Sequence, residues 1–123
     1  IADSVTVLAR TAAAADAAAT LIANAVNVDH PAIERRPARD LDPDSDLGDL
    51  PVTVAVAALP RPLIDEALAR GAAEARRLCL EGLVDSAALA LEDQWRIEGG
   101  ARIPRGARDD KGAVIGDLSI LQR

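Results

Sequence analysis

The stretch SVTVLARTAAAADAAATLIANAV, residues 4–26, decides the fold class, because its hydrophobic pattern changes from one period to another without a break. Residues 4–9 begin with alternating polar and apolar side chains, which is typical of a β-strand. From Ala12 to about Val26 the stretch is dominated by alanine, the strongest helix former, and Thr11 is the predicted N-cap. The sequence therefore predicts a strand followed at once by a helix.

Further strand and helix signals follow along the chain. The valine-rich segment VTVAVAAL, residues 52–59, predicts a second strand. Residues 63–83 repeat apolar side chains at helical spacing, with Gly82 as the predicted C-cap. Residues 86–97 predict a third strand in their first half, and residues 98–103 a turn back into a fourth. We therefore expect an α+β fold, a layered mixed sheet with packed helices.

Two regions give weaker signals. Residues 27–51 contain four prolines and many aspartates, and only the apolar piece around Ile33 suggests order, so they predict a long loop of functional or linker type. Within it, residues 40–49 are too poor a match in glycine and glutamate for an EF-hand, which leaves a solvated acidic loop or a second cation contact. The tail, residues 104–123, mixes charged residues with two short apolar pieces.

Composition narrows the class of protein. The chain has 123 residues, about one domain, and its core must be built from Ala, Val, Leu and Ile because it contains one Trp and no Phe or Tyr. It also contains no Met, so it cannot begin at a natural translation start, and we expect a fragment of a longer protein. The net charge of −6, with scattered basic residues, argues against a nucleic-acid partner.

The expected compartment is the cytoplasm. The single cysteine, Cys79, excludes an internal disulfide and a CxxC motif, so a reducing setting is the simplest one. No apolar run approaches the roughly 20 residues of a membrane span, so we expect no membrane partner.

Asp16 and Thr20 are the first candidates for chemistry. Four residues apart on a helix, they face the same side one turn apart. A carboxylate and a hydroxyl supply two hard oxygen ligands suited to Mg²⁺, whose shell water and phosphate oxygens usually complete. The alternative is an exposed aspartate beside a threonine that bonds back to the helix backbone.

The strand and alanine-rich helix resemble a segment of the ApbE superfamily, the FAD:protein FMN transferases, in which a helix carries Ala-Asp-Ala-x-x-Thr. The resemblance implies that Asp16 and Thr20 hold the divalent cation that bridges the flavin pyrophosphate, with a nearby backbone carbonyl. It assigns Ala15, in the leading position of the motif, to the same metal site. The small residues around them would make room for a dinucleotide such as FAD.

Longer segments resemble an ApbE-like branch of bacterial and archaeal proteins that has no firmly assigned activity. The resemblance covers roughly residues 1–92 and includes NAVNVDHPAI at 24–33, LDPDSDLGDLPVTVAV at 41–56 and GLVDSAALAL at 82–91. It implies that residues 1–123 are the C-terminal part of a single ApbE-like domain whose N-terminal half is absent from this chain. Members of the branch have been linked to anaerobic sulfur assimilation through homocysteine formation.

Three polar residues beyond the motif are candidate contacts to a flavin or other cofactor: Asn24, Asn27 and His30. The two asparagines, at the end of the helix and just past it, alternatively cap that end. His30, the only histidine, is a candidate acid or base near neutral pH or a structural loop residue.

The remaining candidates have simpler alternatives. Cys79 lies in an apolar helix, where burial as a small hydrophobe is the usual role. Arg76 and Arg77 are candidates for gripping a phosphate, but pairing with acidic neighbours on a solvated helix face is favoured. Trp95 is a candidate for stacking on a flavin ring, while a place in the core is the commoner role of such a residue.

Two functional hypotheses follow. The first is a cation- and flavin-binding protein; if it is an enzyme, its reaction is metal-assisted flavin or phosphoryl transfer. The second is a non-catalytic binding or assembly protein linked to sulfur metabolism. We also expect a homo-oligomer, and we expect that these residues alone do not form a stable monomer, since strand edges that pair with the absent half would be exposed.

Overall fold

The computed structural model describes residues 1–100 and confirms the α+β class. The elements, in chain order, are β1 (Ser4–Leu8), α1 (Ala12–Ala25), β2 (Ile33–Pro37), a short 3-10 helix (Ala38–Asp40), β3 (Pro51–Val56), α2 (Arg61–Leu80), β4 (Ser86–Leu91) and β5 (Gln94–Gly99). The predicted strand and helix at the start of the chain are both present. The tail, residues 104–123, lies outside the described residues.

The main sheet has three strands in the order β1-β4-β5, and a separate sheet pairs β2 with β3. Every pairing among residues 1–100 is antiparallel, so the expectation of a mixed sheet is wrong for this part of the chain. A two-residue connection, Glu92 and Asp93, joins β4 to β5, and a connection this short allows only antiparallel neighbours. β4 is central, and its side chains Ala87, Leu89 and Leu91 are buried.

Both helices lie on one side of the main sheet and form the core with it. The largest fully buried side chains are Ile22, Val26, Leu68, Leu89 and Leu91, contributed by α1 with its cap, by α2 and by β4. The core therefore consists of aliphatic side chains, as the composition requires.

The ends of the helices follow the sequence. The Thr11 hydroxyl accepts a hydrogen bond from the Ala14 backbone N–H at 3.2 Å, which confirms the predicted N-cap. At the end of α2, Gly82 has a φ of +71°, and its N–H donates to the Cys79 carbonyl at 3.1 Å. The next N–H, of Leu83, donates to the Leu78 carbonyl at 3.0 Å, which completes a Schellman motif.

The prediction of a long loop over residues 27–51 is wrong, because the region contains β2 and the short 3-10 helix. The strand IERRP has one buried apolar side chain, Ile33, and three charged ones, so it carries little strand signal of its own. It becomes a strand by pairing with β3, with a register shift between Glu34 and Arg35. Backbone pairing with β3, which is distant in sequence, therefore determines that residues 33–37 form a strand.

The strand predicted to follow a turn at residues 98–103 is β5, and it begins earlier, at Gln94. Its alternation places Trp95 on the opposite side of the sheet from the one that the hydrophobicity of Trp95 predicts. The expectation that Trp95 fills the core is wrong, because its side chain is 65% exposed. The polar residues of β5 face the helices instead and pair with α2: Arg96 donates to Asp65 at 2.8 Å, and Gln94 accepts from Arg61 at 2.6 Å.

Trp95 therefore lies on the side of the sheet away from the helices. We call this side the outer face; its residues are Ser4, Thr6, Leu8, Ser86, Ala88, Ala90, Trp95 and Ile97. Leu8, Trp95 and Ile97 are each more than half exposed.

No helix among residues 1–100 is long and apolar enough to cross a membrane.

Gly71 lies on the buried side of α2, against Val26 and Leu89. A Cβ at this position would overlap the Val26 side chain and lie 2.8 Å from Leu89 Cδ2. We expect Gly71→Ala to lower the free energy of unfolding by up to about 2 kcal/mol, because overpacking costs roughly 1–3 kcal/mol and the gain in helix propensity offsets only ~0.8–1.0 kcal/mol of it. Urea unfolding followed by circular dichroism measures the change.

The control is Ala73→Gly, an exposed change on the same helix. It should lower the stability by about 1 kcal/mol through helix propensity alone. A stabilised Gly71→Ala variant would show that the contact between α2 and Val26 is looser than described.

Candidate functional site

The predicted ligands lie along one side of α1. Asp16, Thr20 and Asn24 follow one another at intervals of four residues, so they form a polar stripe on the helix. All three are exposed, whereas Ala18 and Ile22 on the other side are buried. The structure therefore brings together Asp16, Thr20 and one of the three predicted cofactor contacts.

Thr20 and Asp16 are joined through the helix backbone. The Thr20 hydroxyl donates to the Asp16 main-chain carbonyl at 3.1 Å. This is the backbone bond of the simpler alternative, but it uses only the hydroxyl proton and leaves the oxygen lone pairs as acceptors. Among residues 1–100 the Asp16 carboxylate has no hydrogen bond or ion pair. Two oxygen ligands are thus available one helical turn apart.

Ala15, the third predicted metal ligand, lies in the first turn of α1. It is half-buried, and its N–H donates to the Thr11 carbonyl at 3.0 Å in the first turn of the helix. Its own carbonyl lies within the helix and points along the ladder of helical hydrogen bonds. The exposed neighbours Ala12, Ala13 and Ala17 have small side chains, so a bulky ligand can approach the stripe.

The donor set fits a magnesium ion in part. In the described portion of the chain no three His, Cys, Asp or Glu side chains come together as a metal-binding group. Mg²⁺ usually keeps several waters and binds through one or two carboxylates plus phosphate oxygens, so one carboxylate and one hydroxyl suit it. The further ligands would be water and substrate phosphate.

Asn27 and His30 lie apart from the stripe, in the turn after α1. Asn27 accepts a hydrogen bond from Arg35 at 2.5 Å through its side chain, and from Arg70 at 3.3 Å through its backbone carbonyl. His30 Nδ1 accepts from the Ala32 N–H at 3.2 Å, which leaves Nε2 to carry the proton of the neutral ring. Both residues thus hold the turn together.

Arg35 is a residue that the sequence did not indicate. Its guanidinium binds the Asn27 side chain and also the Val28 carbonyl at 3.1 Å. Because β2 places it there, no local pattern identifies it in advance. It anchors the second sheet to the end of α1.

The acidic segment at residues 40–49 forms exposed turns. The Asp42 carboxylate accepts from the Asp44 N–H at 3.1 Å, and Arg39 pairs with Asp49 at 2.6 Å. These local contacts are typical of a solvated acidic loop, which is one of the two alternatives for residues 40–49.

The charged face of α2 is structural. Arg77 pairs with Glu74 at 2.6 Å and with Glu81 at 2.7 Å, which confirms the predicted pairing with acidic neighbours. Arg76 instead reaches across to Glu98 on β5, at 2.6 Å, and ties the helix to the sheet edge.

Cys79 is a free, half-buried thiol. Burial raises its pKa, and the nearby carboxylates Glu98 and Asp85 raise it further. Cys79 therefore stays protonated at neutral pH, which makes it a poor nucleophile.

An apolar groove of about 160 Å³ lies beside the stripe, between α1 and the end of α2. It is lined by Ala14, Ala17, Ala18, Leu21, Leu78 and Leu83. Ligand pockets usually measure about 300–1,000 Å³, so this groove alone is too small for a flavin ring system.

Comparison with known proteins gives one match. The model of a protein family described as AbpE bacteria matches residues 1–97. No curated protein and no solved structure matches the chain.

Proposed function

We propose a function for this chain from the premise that it belongs to the AbpE bacteria family, as the match over residues 1–97 establishes. The proposed function is to bind a divalent cation such as Mg²⁺ and, through that cation, the phosphates of FAD, FMN or a related nucleotide. One observation carries the proposal. The Asp16 carboxylate, which has no partner among residues 1–100, and the Thr20 hydroxyl lie one turn apart on an exposed helix surface lined with alanine. The similarity of this helix to the metal motif of the ApbE superfamily supports the same assignment.

The residues of α1 have distinct roles in this proposal. Asp16 supplies the negative charge that holds the cation. The hydrogen bond from the Thr20 hydroxyl to the Asp16 carbonyl fixes the Thr20 oxygen on the same side of the helix. Asn24, one turn further along, is placed to donate a hydrogen bond to a phosphate or sugar oxygen. A bound cation would polarise the pyrophosphate, so metal-assisted flavin or phosphoryl transfer is the reaction proposed if the protein is an enzyme.

Completion of the nucleotide site requires more than the described residues provide. The groove beside the stripe is small, and two side-chain oxygens do not fill the shell of a magnesium ion. We assign the missing surface to the N-terminal half that the ApbE resemblance implies. The free thiol of Cys79 suits the reducing cytoplasm as the setting.

The second candidate is a non-catalytic binding or assembly protein connected with sulfur (homocysteine) metabolism. The outer face favours it, since the large apolar side chains Leu8, Trp95 and Ile97 are each more than half exposed there, and exposed apolar side chains are common at interaction sites. Cation-dependent turnover of FAD would exclude this candidate.

Replacement of the central ligand tests the first candidate. We expect FAD to bind only in the presence of Mg²⁺, and we expect Asp16→Ala to weaken this binding by at least about tenfold, because the cation loses the charged ligand that α1 supplies. Isothermal titration calorimetry of FAD into the full-length protein, with and without Mg²⁺, measures both effects.

The matched control is Asp46→Ala, which removes the same charge from the exposed acidic segment. It should leave the affinity unchanged. Binding that survives in Asp16→Ala, or a wild-type protein that binds no FAD with Mg²⁺, would overturn the proposed site.

A further inference from the structure

β1 is an open edge of the main sheet. Among residues 1–100 it pairs with β4 on one side only, and its five residues, SVTVL, include no charged residue and no proline. The pairing with β4 runs without a register shift. Strands at sheet edges present unpaired backbone N–H and C=O groups, and proteins usually protect them with charges, prolines or bulges.

The other edges of the described sheets carry such protection. β5, on the opposite side of the main sheet, has Arg96 and Glu98 pointing towards the helices. In the second sheet, the register shift between Glu34 and Arg35 interrupts the pairing of β2 with β3. β1 is therefore the edge best suited to accept another strand.

The sequence of β1 is complementary to itself. When two antiparallel copies are centred on Thr6, Val5 lies opposite Val7 of the other copy, and Ser4 lies opposite Leu8. Residues directly opposite each other in an antiparallel pair share one face of the sheet. The valines, half-buried on the helix side, would then cover each other, while the polar and outer residues would meet on the outer face.

The charges that flank β1 favour the same arrangement. Asp3 precedes the strand and Arg10 follows it, and Arg10 makes no ion pair in the part of the chain that the structure describes. Antiparallel pairing centred on Thr6 places Asp3 of each copy opposite Ala9 of the other, so that Asp3 and Arg10 of different copies lie at the same end of the paired strands. A parallel pair would instead place like charges together at both ends.

We propose that two copies of this chain pair through β1, antiparallel about a two-fold axis at Thr6, and so form a continuous six-stranded sheet. A two-fold contact uses the same surface on both copies, as this strand permits. The pairing satisfies the free backbone groups of both edges and needs no segment from another protein. The inference is independent of the nucleotide site on α1.

A charged residue at the axis tests the proposal. We expect wild-type protein to elute at the mass of a dimer in size-exclusion chromatography with light scattering. Thr6→Lys should raise the dimer dissociation constant by at least about tenfold, because the two lysines would face each other directly. Thr53→Lys is the matched control, since Thr53 is also exposed and also lies between two valines, but on β3.

A mixture of variants separates loss of pairing from loss of folding. Thr6→Glu alone should also be monomeric, whereas a mixture of Thr6→Lys with Thr6→Glu should form a heterodimer, because opposite charges then meet at the axis. A monomeric wild-type protein, a Thr6→Lys variant that stays fully dimeric, or a mixture without heterodimer would each overturn the proposal. Dimers of Thr53→Lys with wild-type affinity would support it.

Discussion

Gly99→Ala is expected to lower the free energy of unfolding by about 3 kcal/mol, one of the two largest effects we predict, because two penalties coincide. Gly99 ends β5 with a φ of +72°, in the left-handed region that costs a residue with a Cβ roughly 1–2 kcal/mol. A Cβ there would also overlap the Asp85 backbone carbonyl and lie 2.8 Å from Cys79 Sγ. Backbone atoms cannot move aside as a flexible side chain can.

Gly82→Ala separates the two penalties. Gly82 has nearly the same φ, +71°, but no atom lies within 4 Å of the position of its Cβ. We expect this variant to lose only the roughly 1–2 kcal/mol of the left-handed conformation. Urea unfolding followed by circular dichroism, at one fixed protein concentration because self-association affects stability, gives both values. Equal losses in the two variants would contradict the close approach of Gly99 to Asp85.

Leu68→Ala is expected to lower the free energy of unfolding by about 2–5 kcal/mol, the range for a buried leucine whose removal leaves a cavity. Leu68 lies in the middle of α2 and is fully buried. It is among the five largest buried side chains of a core that contains no aromatic residue. Because few large side chains lie nearby, the neighbouring residues can fill little of the cavity that Leu68→Ala leaves.

Leu80→Ala is the control on the same helix. Leu80 is 83% exposed, so the same chemical change should alter the stability by no more than about 0.5 kcal/mol. A small loss in Leu68→Ala, comparable to that of Leu80→Ala, would contradict the burial of α2 against β4.

The elements that sequence predicts well are those whose pattern is local. The start of α1 is determined by Thr11 and the alanines after it, and the end of α2 by Gly82, so both boundaries follow from neighbouring residues. β2 is different, since its strand state depends on pairing with β3 some twenty residues away. Strand propensity reflects such packing more than intrinsic preference, which is why IERRP gave so little signal.

The exposed position of Trp95 is not predictable from the sequence for a related reason. Hydrophobicity alone predicts burial, but the alternation of β5 places either Trp95 or its neighbour Arg96 towards the helices. The charged residues of α2, such as Asp65, provide partners for Arg96 at 2.8 Å. The identity of the facing helix surface decides the orientation, and a single strand does not contain that information.

The candidate site shows the same division. The four-residue spacing of Asp16 and Thr20 predicts a shared side of α1, and the helix places them there. Asn27 and His30 were grouped with them by proximity in sequence, but the chain turns after α1, and local hydrogen bonds to Arg35 and Ala32 hold them elsewhere. Periodicity extends only as far as the helix that generates it.

The exposed position of Trp95 determines what optical spectroscopy can report on this protein. As the only aromatic side chain, its indole supplies nearly all near-ultraviolet absorbance and intrinsic emission. Because water already surrounds most of the ring in the folded state, unfolding changes its surroundings little, and emission is a weak signal of denaturation. A blue shift of that emission would instead report the arrival of another surface on the outer face, without an added dye.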